Sequence, residues 1–218
     1  MQQGGKIYLG HIGKVPVYAG FESIFLLIYV FMIGQNLPGE YLITLFVVFI
    51  LTILLHELGH ALVALAQGMM GVSITLSALG GYCSYSGDRH PYREFLISLT
   101  GPVTNLLIAW MCHIILSNAT IGDPLLRFFV EQMGWWNLVL GILNLIPIYP
   151  LDGGQVALSL CRLFSKNESF SRKFTLSLSV VAAVVALAAL VALRQGEFPV
   201  LTLVLTMFLL ASAFRDLR

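Results

Sequence analysis

Charge is what this chain has least of. Asp, Glu, Lys and Arg together make up 11% of its 218 residues, where a soluble domain carries about 25%. So few charges cannot clothe a water-facing surface. With 58% hydrophobic residues and a mean hydropathy of +0.87, the shortage excludes an ordinary soluble globule and makes lipid the main solvent. Net charge is only +1, so there is no basic footprint and no nucleic-acid partner is expected. The three cysteines, Cys83, Cys112 and Cys161, are odd in number and lack paired spacing; they read as small apolar fillers rather than disulfides or metal thiolates. The Gly-rich, polar N-terminus has no short apolar core and small-residue cleavage site, so no cleavable signal peptide is expected. No repeat, low-complexity tract or soluble linker breaks the chain, which reads as one membrane domain over residues 1–218.

What is abundant is apolar runs. Crossing a bilayer takes roughly 20 residues, and six runs qualify, at about 16–35, 41–66, 95–117, 131–149, 173–193 and 198–214. If they alternate, the N-terminal side receives Lys6, Lys14, Arg89, Arg93, Arg162, Lys166, Arg172, Lys173, Arg215 and Arg218, and the other side only Arg127 and Arg194. That asymmetry places both termini in the cytoplasm. The expected class is an all-α polytopic membrane protein of about six transmembrane helices. One short β-hairpin, associated with the membrane, is expected after the second helix: Val72, Ile74, Leu76 and Ala78 alternate with polar residues, Gly80-Gly81 permits a turn, and Tyr82 to Ser86 can return.

Within the second run lies His56-Glu57-Leu58-Gly59-His60. On a helix the two histidines fall one turn apart on one face, close enough to bind one zinc, with Glu57 beside it as general base for a water. Ionisable groups at membrane depth are costly, so three together read as function. A catalytic zinc needs a third protein ligand and leaves a position for water. Asp152, in Asn144-Leu-Ile-Pro-Ile-Tyr-Pro-Leu-Asp-Gly-Gly154, is the best acidic candidate, because Pro147, Pro150 and the two glycines break the helix there. From the residues alone a helix N-cap explains Asp152 equally well.

In that order, His56-Glu-Leu-Gly-His60, Gly101-Pro-Val-Thr-Asn105, Asn144-x-x-Pro147 and Leu151-Asp152-Gly153 resemble the site-2 protease family of intramembrane zinc metalloproteases, over residues 50 to 155. The resemblance implies one zinc per chain on His56, His60 and Asp152, Glu57 as catalytic base, and Asn144 holding substrate or the oxyanion. Asn105 matches an asparagine in the family signature of the third span and is expected to bind substrate, although an amide at that depth also serves to bridge helices. No PDZ insertion or C-terminal CBS domain is present, so the chain looks like the compact, sporulation-type branch, with a catalytic core at about 41–165. An aspartate as third ligand offsets part of the zinc charge, which suits a low-dielectric surround. The implied activity is hydrolysis of peptide bonds in transmembrane or membrane-associated protein substrates near the cytoplasmic face, in regulated intramembrane proteolysis. The bilayer is the implied surround, and a regulatory membrane protein is the further partner that the family allows for. The hairpin, at Ile74 and Leu76, is expected to receive the unwound substrate as an added strand. Two rivals stand beside this reading: a non-proteolytic membrane scaffold that retains the fold, and a different HExxH lineage whose third ligand is Glu94, Glu131 or Glu168.

Overall fold

The first apolar stretch does not begin as a helix. In the computed structural model, which describes residues 5–77, 80–193, 211 and 214–215, Lys6–Ile12 (β1) and Val15–Gly20 (β2) are strands. They form an antiparallel hairpin closed by Gly13 and Lys14 between the Ile12–Val15 pair. Gly13, at φ 58°, takes the left-handed backbone that a two-residue hairpin loop requires. The remaining elements are α1 (Ser23–Gly34), α2 (Gly39–Ala66), β3 (Met70–Ser77), β4 (Gly80–Ser86), α3 (Pro91–Asn118), α4 (Pro124–Leu145), α5 (Asp152–Phe164) and α6 (Glu168–Leu193).

The chain divides into two compact units, Met1–Asp88 with Thr100–Ile142, and Arg89–Leu99 with Leu143–Arg218. In the first, the strands make one sheet of order β1-β2-β3-β4. β2 and β3 pair in parallel, joined through α1 and α2, and β3 and β4 pair antiparallel. Val72, Ile74 and Leu76 lie in β3, which with β4 makes up half of the four-stranded sheet. Pro16 is tolerated in an inner strand because pairing with β3 starts only at Val17, beyond the missing N–H.

The 28 residues of α2 extend roughly 42 Å at 1.5 Å per residue, more than the ~30 Å hydrocarbon core. Its buried positions, Leu45, Val48, Phe49, Thr52, Ile53, His56, Glu57, His60, Ala61 and Ala64, recur every three or four residues and so lie on one stripe. Val48 packs with Cys112 and Met133, and Phe49 packs against Trp136 at a tilt of 48°, ring centroids 4.4 Å apart. Gly59 permits a close crossing: a Cβ there would stand 2.8 Å from the Thr100 carbonyl oxygen.

In the second unit, α5 is amphipathic and short, and Leu158 packs with Tyr149 and Leu176. The Tyr149 amide donates to Ser179 Oγ of α6 at 3.0 Å. The loop leading to α5 has no room beside its glycines, since a Cβ on Gly153 would collide with the Leu145 and Ile146 carbonyls.

Three helices among the described residues have the length and apolar composition to cross a membrane: Gly39–Ala66, Pro91–Asn118 and Glu168–Ala189. The first expected run is corrected, because Val15–Gly20 is strand and α1 has only 12 residues. Its alternation of Val15, Val17 and Ala19 was submerged in a generally apolar stretch. The fourth run is shifted to Pro124–Leu145, where Arg127 and Glu131 pair at 2.8 Å. The sixth run, 198–214, lies almost wholly outside the described residues.

Candidate metal centre

His56, Glu57 and His60 sit toward the C-terminal end of the buried stripe of α2 and are 5%, 4% and 6% exposed. Helical spacing sets the imidazoles edge to face, ring centroids 4.8 Å apart, with the two Nε2 atoms at 3.1 Å. Two nitrogens bound tetrahedrally to one zinc at about 2.05 Å lie roughly 3.3 Å apart, so the pair is already near that spacing. Gly101 of α3 leaves the space open: a Cβ there would stand 2.8 Å from His56 Nε2 and closer still to His60 Nε2. Asp152 begins α5 and is buried, its position fixed by the glycine-dependent loop. His56, His60 and Asp152 form a group able to hold a metal ion, their ligand atoms all within 4.8 Å of one another. Two imidazoles and one carboxylate are a donor set that suits catalytic zinc. No other such group occurs among the described residues. Glu131 is engaged by Arg127, and Glu168 by Arg162 and Arg172.

Glu57 lies under the sheet. A Cβ on Gly81 would stand 2.8 Å from Glu57 Cγ, so only glycine lets β4 approach it. Burial, and secondarily the Glu57 carboxylate, pushes the Cys83 thiol of β4 up to about 12. A raised thiol pKa keeps the protonated form through neutral pH and lowers the reactive thiolate fraction. Alkylation of Cys83 by iodoacetamide at pH 8 should therefore run at least about a hundredfold slower than that of a model thiol with pKa ~8.5; mass spectrometry against a time course reads it.

Asn105 is fully buried and its amide is used within the protein. Oδ1 meets His56 Nδ1, while Nδ2 donates to the Thr52 carbonyl at 3.3 Å and to Asn137 Oδ1 at 2.6 Å. In this structure the Asn105 amide is thus spent on His56, Thr52 and Asn137. Ile74 and Leu76 lie in β3. They are buried on an inner strand, paired to Val17 and Ala19 on one side and to Cys83 and Gly81 on the other, which leaves no edge for an added strand. Asn144, half-buried, lies near the end of α4. Asn137 was missed altogether; its only sequence signal was an amide inside an apolar helix.

The model of peptidase family M50 matches residues 44–127 and 117–188. A zinc metalloprotease of Methanocaldococcus jannaschii is 31% identical over 157 residues, 69% of this chain and 44% of that protein. Stage IV sporulation protein FB of Bacillus subtilis is 28% identical over 171 residues, 78% of this chain and 57% of that protein. Matched segments cover 29% to 57% of the length of such curated relatives. Among solved structures, the site-2 protease from Methanocaldococcus jannaschii superposes with a TM-score of 0.66 at 25% identity, over 98% of this chain and 95% of that one.

Proposed function

The chain belongs to peptidase family M50, the site-2 proteases, and on that premise we propose that it is an intramembrane zinc endopeptidase acting on transmembrane or membrane-associated proteins near the cytoplasmic face. Membership supports a metallopeptidase, and three apolar helices of spanning length support an integral membrane protein. The observation that carries the finer reading is a donor group of two histidines and an aspartate, the histidines lying with a buried glutamate on a helix long enough to cross a bilayer.

In this reading His56, His60 and Asp152 hold the zinc. When bound, the ion polarises the scissile carbonyl and acidifies water. Glu57 takes a proton from the attacking water on its carboxylate and delivers it to the leaving amine. Asn144 donates from its side-chain amide to the developing oxyanion. Asn105 orients His56. His60 precedes the end of α2 at Ala66 by six residues, so the chemistry lies roughly 9 Å inside that end. With both termini cytoplasmic, as the positive-inside asymmetry favours, this is the cytoplasmic end, and water enters from there.

A substrate helix must unwind to free its scissile carbonyl, and a sheet edge is a natural receiver. Since β3 is covered on both sides, we place this role on β4, the outer strand next to Glu57. Along a strand paired on one side, successive N–H groups point alternately to the partner and away. Proline at Tyr82 and at Cys83 therefore separates the two edges: the substitution whose N–H faces away from β3 should keep the sheet yet lower cleavage about tenfold, in line with the loss of one or two ladder hydrogen bonds. Unchanged cleavage by both variants would remove β4 from the mechanism.

The deciding experiment compares membrane-protein N-termini and fragment sizes in cells carrying wild type or Glu57→Gln. A membrane precursor that accumulates uncut in the variant identifies both the activity and the substrate. Coincident profiles under conditions where the gene is required, with zinc retained, would overturn the protease reading in favour of a scaffold.

A further inference from the structure

Asn137 of α4 is fully buried and wired at both ends of its amide. Nδ2 donates to the Met133 carbonyl at 2.8 Å and to Thr52 Oγ1 at 3.0 Å, and Oδ1 accepts from Asn105 Nδ2 at 2.6 Å. A backbone carbonyl only accepts, so Met133 decides which end of Asn137 is nitrogen. The opposite end is then oxygen and must face the nitrogen of Asn105. That nitrogen is claimed a second time by the Thr52 carbonyl at 3.3 Å. Asn105 is left presenting oxygen to His56 Nδ1, which must therefore carry the proton. The lone pair then resides on Nε2, the atom that faces His60 Nε2.

We propose that Asn137 is a positioning residue of the metal site, acting through Asn105 to hold His56 as the Nδ1–H tautomer, with the Nε2 lone pair on the side of His60. The inference rests on the reading of His56 as a zinc ligand. Two backbone carbonyls, on different helices, anchor the relay, so its direction does not depend on the ion. Reversing either amide would set donor against donor or acceptor against acceptor in a medium where water cannot compensate. The partners that orient ligating histidines typically contribute 10- to 100-fold to metal affinity, and a residue one step removed belongs at the lower end of that range.

The test uses the full chain in detergent. In the metal-free wild type, labelled with 15N-histidine, His56 should show a single tautomer protonated at Nδ1; a proton on Nε2 would overturn the proposal without any variant. Asn137→Leu should mix the His56 tautomers and weaken zinc binding roughly tenfold in chelator competition. The same substitution in an Asn105→Leu background should add nothing, as expected if Asn137 acts only through Asn105. A single Nδ1–H tautomer and unchanged zinc affinity in Asn137→Leu, or full additivity with Asn105→Leu, would reject the relay. His56→Ala separates the layers: zinc retained there defeats the ligand reading itself, whereas zinc lost there but unmoved in Asn137→Leu defeats the relay alone.

Discussion

Gly101→Ala should leave a folded protein that holds almost no zinc and cuts no substrate. The added methyl would lie 2.8 Å from His56 Nε2 and nearer to His60 Nε2, in the space an ion shared by the two nitrogens must use. Nothing else about the substitution is hostile. Gly101 lies inside α3, where alanine is favoured over glycine by about 0.5–1 kcal/mol, so helix stability should hold or rise. The damage is confined to the donor atoms. Neither imidazole can turn away freely, because His56 is held at Nδ1 by Asn105 and both rings are packed in the buried stripe of α2. Zinc content per chain by elemental analysis, beside a thermal unfolding curve, reads the outcome. Near-stoichiometric zinc in a folded Gly101→Ala protein would mean that the Nε2 pair is not where the metal sits.

Glu57→Gln should do the reverse, keeping zinc while losing turnover. Glu57 is 4% exposed, and β4 comes close to its side chain at Gly81. Glutamine fills the same volume and retains a carbonyl oxygen but cannot take up a proton. General-base assistance is typically worth 10²- to 10⁴-fold, and a drop of that order in single-turnover cleavage of a membrane substrate is the expected result. Because the metal ligands are untouched, zinc content should match wild type. A variant that kept zinc and cleaved within about tenfold of wild type, short of the usual general-base range, would move the base elsewhere. Together the two substitutions separate holding the metal from using it.

The metal group was legible because cost makes it so. Two histidines and a glutamate inside an apolar run have few reasons to exist other than chemistry, and Asp152 stood in a loop where prolines and glycines had already broken the helix. Asn137 was not legible. A single amide in an apolar helix looks like any helix-bridging residue, and its significance lies in Thr52, Asn105 and Met133, which only the folded chain assembles around it. The N-terminal hairpin was hidden for another reason. Val15, Val17 and Ala19 alternate, but the apolar residues of α1 follow within a few positions and absorb them into one run. Pairing between Val17 and Ile74 is a long-range fact that no local window contains. The same pairing bears on Ile74 and Leu76: the alternation that announces a half-buried strand belongs to one with neighbours on both sides.

That parallel pairing of β2 with β3 also constrains how the chain threads the bilayer. Hydrogen-bonded neighbours occupy the same side, so the segment between them must return to the face it left. Should α2 cross, α1 and its flanking residues have to supply the complementary passage. Twelve helical residues rise only about 18 Å against a ~30 Å hydrocarbon core. Lipid next to α1 would then have to compress to meet it, giving the protein a thinned annulus on one flank.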